Sequence, residues 1–422
     1  MTEIETNLVC TGCSLLCDDI AVEVESGKII KTHHVCARGY GRYYQVDFQY
    51  RILKPLIRQD GEVQETSYED ILAKSIEMLQ EAKNPFFYGW SSATSEVQQK
   101  GIQLAKKYKG IIDCSSNFTI GAAVQQILQK GIEVPKLPAI KDNADLLIFL
   151  GCNPTASHIR LLSKYALLAR GSNTSRGIED RRAITIDIRT TDMSKFSQIF
   201  QKVTPGTDSR LLESLIQILE GESFSEERIA NVSRKDIYDI AGYLKDTRTG
   251  VLFFGNGYLK TPESLETLFR FVEVLQQKGV NFGAIPLDGG YNAIGFAKNL
   301  KETYDVELNA NFRDAEVTQN QDVFRNLLKN DEIDLLFVLG ADPVSNLPFD
   351  LCKKIVKIPL ITIDFQQTPT TKNSRLVIPT TIPGVESAGT AFRLDFEQVT
   401  LKKFLSPPEG ILSDEEILNQ LF

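Results

Sequence analysis

Two pairs of segments in this chain repeat one another, and they constrain its fold more than any other feature. "DLLIFLGCNP" (Asp145 to Pro154) returns as "DLLFVLGADP" (Asp334 to Pro343), and "ITIDIRTT" (Ile184 to Thr191) returns as "ITIDFQQT" (Ile361 to Thr368). Each first member is an unbroken apolar run stopped by Gly-x-[Asn/Asp]-Pro, and each second member ends at an aspartate. Continuous β-branched runs of this length suit strands buried on both faces of a parallel sheet. Further runs, "GVLFFGNG", "NFGAIPLDGG" and "LVIPTT", alternate with amphipathic stretches such as "DSRLLESLIQILEG" and "PESLETLFRFVEVLQQKG". That alternation predicts a doubly wound α/β architecture. In open sheets of this kind, ligands sit outside the carboxyl ends of the strands, where backbone N–H groups and an acid meet a nucleotide. Two copies therefore point to two nucleotide-like sites, or to the two halves of a duplicated cofactor. The alternative for either copy alone is a turn that only redirects the chain. Repetition of the aspartate weighs against it.

At 422 residues the chain is too long for one simple core, so several domains are expected. No apolar run approaches the roughly 20 residues needed to cross a bilayer, and the polar, acidic "MTEIETNLVC" start does not read as a signal peptide. The expectation is a cytoplasmic protein without membrane contact. A net charge of −8 with no basic block disfavours a nucleic-acid partner.

Of the seven cysteines, four cluster as Cys10, Cys13, Cys17 and Cys36, a C-x2-C-x3-C-x18-C spacing. In a chain without a secretion signal this argues for metal binding, not disulfides. Three close thiolates with one distant partner suit an iron–sulfur cubane. Structural zinc, which more often uses two separated C-x2-C pairs, is the alternative. His33 and His34 lie beside Cys36 but read as solvent-facing loop residues. Cys114, Cys152 and Cys352 read as small buried hydrophobes. Around the cluster, "IAVEVESGKIIKTHHVC" alternates as a β-hairpin with "SG" as its turn, and Ser67 with Asp70 predicts a capped helix start in "TSYEDILAKSIEMLQEAK".

Together these pieces resemble the molybdopterin oxidoreductase superfamily and, within it, the family of formylmethanofuran dehydrogenase B subunits. The resemblance rests on "CTGCSLLCDDI" with "CARG", "SYEDIL", "YGWSSATSEVQQKGIQLA", "GCNPTASHIRLLSKY", "DIRTTDMSK" with "PGTD", "GYNAIGF", "GADP" and "GVESAGTAFRLD", in order along nearly the whole chain. It implies an iron–sulfur lobe over residues 1–56, a Rossmann-like nucleotide-binding domain over 57–140 plus 290–422, and a second over 141–289. It implies a 4Fe-4S cluster on Cys10, Cys13, Cys17 and Cys36. That cluster would pass electrons to tungsten or molybdenum held by a bis-molybdopterin guanine dinucleotide. Contacts to this cofactor are implied for Gly151, Asn153, His158, Arg160, Asp187, Arg189, Asp342, Glu386 and Thr390. The chain ends without a run of short alternating strands, so the β-barrel domain of larger superfamily members is expected on a separate D subunit. Completing an obligate complex of C1 metabolism would be a C subunit with an amidohydrolase A subunit.

The sequence also departs from that family. The metal-binding cysteine and the histidine after it fall at Thr119 and Ile120, with Cys114 five positions early. An arginine and a histidine before Tyr-Asn fall at Asp288 and Gly289. Threonine is a poor substitute for a soft thiolate, and aspartate reverses the charge that would meet a formate anion. Two expectations follow. One is a redox subunit interconverting carbon dioxide and formate, with an altered metal shell. The other is a non-redox structural subunit, like the B subunit of a formyltransferase/hydrolase complex.

Overall fold

The structure, a computed structural model, describes residues 2–44, 50–59, 61–258 and 262–422. The chain divides into two compact units, one of residues 1–121, 290–393 and 398–422, the other of 122–289 and 394–397.

The second unit is built on a five-stranded, all-parallel sheet. Its order is Ile199–Lys202, Arg182–Asp187, Leu146–Leu150, Thr249–Phe254, Asn281–Pro286. In chain order this is 3-2-1-4-5, the arrangement of a dinucleotide-binding half. Every residue of Leu146–Leu150 is buried, as an unbroken apolar run at the centre of a parallel sheet must be. Helices Asp208–Glu220, Arg234–Lys245 and Pro262–Gln277 supply the crossovers. The first stops at Gly221, whose φ of 94° only glycine adopts without strain. Ser233 caps the second by accepting from the Asp236 N–H at 3.2 Å.

The first unit carries an eight-stranded sheet. From edge to edge it runs Asn309–Asn311, Ile111–Cys114, Pro85–Gly89, Leu335–Leu339, Leu360–Ile363, Leu376–Ile378, Leu56–Gln59, Glu62–Glu65. The five strands from Ile111–Cys114 to Leu376–Ile378 are parallel, and the outer ones antiparallel. The core of the second unit recurs here strand for strand. Leu335–Leu339, Leu360–Ile363 and Leu376–Ile378 match Leu146–Leu150, Arg182–Asp187 and Ile199–Lys202. On the other side, Pro85–Gly89 and Ile111–Cys114 match Thr249–Phe254 and Asn281–Pro286. The chain order is permuted, however: those last two counterparts come first, and residues 122–289 of the second unit are inserted before the remaining three.

An antiparallel sheet of Glu3–Leu8, Ile20–Glu25 and Lys28–His33 precedes this, within the first unit. The expected hairpin is present. Ser26 (φ 51°) and Gly27 (φ 75°) both take the positive φ that a two-residue type I′ turn needs. The expected helix runs Tyr68–Glu81, with Ser67 accepting from the Asp70 N–H at 3.0 Å. The carboxylate of Asp70 takes the Ser67 hydroxyl at 2.7 Å, so the two side chains cap each other.

Candidate cofactor and metal sites

The cysteine loop leaves the Glu3–Leu8 strand and closes on itself, Cys10 N–H donating to the Cys17 carbonyl at 2.9 Å. Cys10, Cys13 and Cys17 are buried, and Cys36 is half-buried just before the helix Ala37–Tyr44. Two glycines make room around the Cys10 sulfur: a Cβ on Gly12 would stand 3.3 Å from it, and one on Gly39 3.0 Å. Burial pushes the Cys10 thiol up to about 12, and the charges of Cys17, Cys13 and Cys36 add to the rise. Burial also raises Cys13, opposed by Arg38. Both rises come first from burial, and a bound cationic centre would oppose them. Among the described residues, no group of three or more His, Cys, Asp or Glu side chains, the cysteine loop included, is arranged to hold a metal ion. His33 is engaged with Glu23 at 2.6 Å, and His34 with the Asp19 carbonyl at 2.9 Å.

Arg42 ties this loop to the sheet. Its Nε donates to the Thr11 hydroxyl at 2.9 Å, and its guanidinium lies 4.8 Å from the centre of the Phe365 ring. Beside it opens a cavity of about 130 Å³ at the carboxyl ends of Leu335–Leu339, Leu360–Ile363 and Leu376–Ile378. Its polar lining includes Asp364, Gln366, Thr380, Thr381 and Asp414. Burial pushes Asp364 up to about 7 and Asp414 up to about 6, with Arg42 pulling the other way. Asp364 is the counterpart of Asp187 in the sequence repeat, but the resemblance carried a cofactor contact only to the latter. Arg42 and Asp414 carried no signal of their own.

In the second unit, Gly151 ends the Leu146–Leu150 strand at φ 56°, where a Cβ would lie 2.6 Å from the Tyr258 N. Gly257 N–H donates to the Gly151 carbonyl at 3.0 Å, so two strand ends meet where the strand order reverses. This is where open α/β sheets place nucleotides. Asn153 starts a short helical turn and accepts from the Thr155 hydroxyl at 2.6 Å. His158 is fully buried, 2.9 Å from the Ser157 hydroxyl. Arg160 is half-buried and Arg189 exposed. Asp187 is buried and accepts from the Arg189 N–H at 3.1 Å, as Asp364 does from Gln366.

The remaining sequence-derived positions have partners within the first unit. Asp342 accepts from the Thr370 hydroxyl at 2.6 Å and its N–H at 3.1 Å. Glu386 is buried against Arg51 at 2.6 Å. Thr390 donates to Glu96 through both its N–H and its hydroxyl.

No family model matches the chain. Among curated proteins, the B subunit of a tungsten-containing formylmethanofuran dehydrogenase 2 from Methanocaldococcus jannaschii is 31% identical over 427 residues, covering all of this chain and 98% of the relative. Its namesake in Methanococcus maripaludis is also 31% identical, over 99% of this chain and 98% of the relative. The chain belongs to the family of formylmethanofuran dehydrogenase B subunits. It is accordingly an oxidoreductase subunit. More distantly, the alpha subunit of an F420-dependent formate dehydrogenase from Methanocaldococcus jannaschii is 24% identical over 52% of this chain and 34% of its own length. Two solved structures share the fold. Acetylene hydratase from Pelobacter acetylenicus has a TM-score of 0.73 at 12% identity, over 99% of this chain and 68% of its own. The formyltransferase/hydrolase complex from Methylorubrum extorquens has a TM-score of 0.70 at 15% identity, over 87% of this chain and 97% of its own.

The positions that the resemblance marks as departures lie in the segments that follow two strands. Thr119 follows the turn after Ile111–Cys114, its hydroxyl donating to the Ser116 carbonyl at 2.8 Å. Ile120 and Cys114 are buried. In the second unit Asp288 is buried, two residues after the Asn281–Pro286 strand. Among the described residues, no helix is long and apolar enough to cross a membrane.

Proposed function

We propose that this chain is the redox subunit of a formylmethanofuran dehydrogenase-type complex, working in the cytoplasm with a barrel-type D subunit, an amidohydrolase A subunit, plus a C subunit. Cys10, Cys13, Cys17 and Cys36 would hold a 4Fe-4S cluster. Gly151, Asn153, His158, Arg160, Asp187, Arg189, Asp342, Glu386 and Thr390 belong to the surroundings of a tungsten or molybdenum bis-molybdopterin guanine dinucleotide. When bound, these groups supply electron transfer and the interconversion of carbon dioxide and formate. What supports this reading is the near full-length likeness to formylmethanofuran dehydrogenase B subunits, together with three cysteines buried in one loop where Gly12 and Gly39 leave room around the Cys10 sulfur. The protein's part is physical. Backbone turns at Gly151 and Gly340, both at positive φ, open the strand ends to a phosphate-bearing ligand, and burial keeps water from Cys10, Cys13 and Cys17.

A structural, non-redox role is the second reading, favoured by Thr119, Ile120 and Asp288 standing at the family's metal-site positions. The two readings separate on the complex co-expressed with its partner subunits. The redox reading expects tungsten or molybdenum in the complex and slow dye-linked formate oxidation. Restoring the cation by Asp288→Arg should then raise that rate about tenfold or more, equivalent to about 1.4 kcal/mol of transition-state stabilisation. Absence of both metals and of activity in either form supports the structural role. Strong wild-type activity abolished by Cys114→Ser would instead make Cys114 the metal ligand.

A further inference from the structure

The outermost strand of the second unit's sheet, Ile199–Lys202, is paired on one side only, with Arg182–Asp187. Val203 N–H donates to the Asp187 carbonyl at 3.0 Å. Backbone groups alternate sides along a strand, so Phe200 turns its N–H and carbonyl outward. The Lys202 carbonyl faces the same way and accepts from the Asn231 amide at 3.2 Å, which closes that end of the edge. An open edge is a template for another extended chain. Beside it runs a groove of about 530 Å³, walled by Ile199 and Gln201 and by one face of the helix Arg234–Lys245. Both walls belong to the second unit. Gly242 stands in the middle of the helical wall. Glycine is the poorest interior helix former after proline, and nothing within this chain calls for it there. Its φ is not positive, and a Cβ would meet no atom within 4 Å. What it leaves is a notch between Asp239 and Asp246, its neighbours at i−3 and i+4 on the helix surface. Such a notch suits the close approach of a second chain.

Charge selects the occupant. Asp236, Asp239 and Asp246 line the groove, and among the described residues of that lining there is no cation. Asp236 accepts from the Ser233 hydroxyl at 2.6 Å, while Asp239 and Asp246 are exposed. Arg182 lies 4.7 Å from the Tyr243 ring centre and, with Arg248, belongs to an adjoining depression beyond Asp246. Tyr238, 41% exposed and stacked on Phe224, gives the groove an aromatic rim on which a long cationic side chain can lie. We propose that this groove docks an extended segment of a partner subunit rich in lysine and arginine. Its backbone bonds to Phe200 at the sheet edge, and one cationic side chain crosses Gly242 between Asp239 and Asp246. This rests on the reading that the chain works within a multi-subunit complex. An extended basic chain uses the open edge, the acidic wall and the notch together. A second copy presenting the same edge would set like charges against each other.

The test uses the complex co-expressed with its partner subunits, this chain carrying an affinity tag. A carbodiimide, which joins a carboxylate directly to a lysine amine, should link Asp239 or Asp246 to a lysine in a basic stretch of a partner subunit, read by mass spectrometry. Asp239→Lys together with Asp246→Lys should lower retention of that subunit about tenfold or more. Glu273→Lys, at an exposed acid on Pro262–Gln277 outside the groove, should retain it as the wild type does. Gly242→Gln fills the notch while improving the helix, so it should raise the thermal midpoint of the chain and still weaken retention. That combination separates lost docking from lost folding. Normal assembly in both groove variants, with no cross-link from these aspartates, overturns the proposal and leaves the complex standing. A cross-link from them to a second copy of this chain overturns it as well. Recovery of the wild-type chain without any partner subunit overturns the reading of a complex, and this proposal with it.

Discussion

At the scale of single residues, buried acids are the chain's most exacting feature, and each has a different solution. Glu386 takes Arg51 as its counter-ion, half-buried Asp342 takes Thr370, and Asp113 takes the Asn117 amide at 2.6 Å. An amide is not a counter-charge, so burial holds Asp113 up at about 7. Its folded value exceeds the ordinary one, so its contribution to stability is fully present below about pH 4 and is lost as pH rises through about 7. Asparagine keeps the hydrogen-bond acceptor and needs no proton. Asp113→Asn should therefore raise stability at pH 8 by about 1–3 kcal/mol and change little near pH 4.5. Thermal unfolding at the two pH values reads this, and equal midpoints at pH 8 would contradict it. The cysteine quartet stood out as a candidate from spacing, because three of its members lie within eight residues. Arg42 and Asp414 were not, since only folding brings positions 42 and 414 to one cavity.

At the scale of elements, all seven apolar runs read as buried strands are strands in the sheets. Among the strands missed were Glu3–Leu8 and Glu62–Glu65, mostly exposed and without an apolar pattern, and the short runs Pro85–Gly89 and Ile199–Lys202. The duplication extends beyond the quoted segments into pinning contacts. Asp145 accepts from the Arg248 and Thr249 N–H groups, both at 3.2 Å, where the next strand begins. Asp334 does the same for Lys83 and Asn84 at 2.7 and 2.9 Å. Thr185 and Thr362 likewise meet Ser197 and Ser374 at 2.7 and 2.6 Å. The first residue of each repeated segment is thus structural, and only its far end faces a candidate site. Asp145→Ala and Asp334→Ala should each cost about 0.5–1.5 kcal/mol, the range for losing hydrogen bonds whose donors water can still reach. Urea unfolding should show similar losses in both variants, and hydrogen exchange should rise first at Arg248–Thr249 or Lys83–Asn84. A variant with wild-type stability and exchange would contradict this assignment.

At the scale of the whole molecule, the doubly wound class was legible, but the permuted connectivity was not. Parallel strands are uniform apolar runs, and "PFFYG" and "GVLFF" hold nothing that names their neighbours in a sheet. Only three-dimensional order shows that one unit is inserted within the other's strand sequence. Family membership makes the chain part of an oxidoreductase, and the central claim concerns what its four clustered cysteines hold. Iron and acid-labile sulfide, measured per chain on anaerobically purified wild type, test that claim most directly. The account predicts about four of each, in keeping with a cubane on four thiolates, with loss of the cluster in Cys13→Ser. One zinc per chain with no iron or sulfide would contradict it.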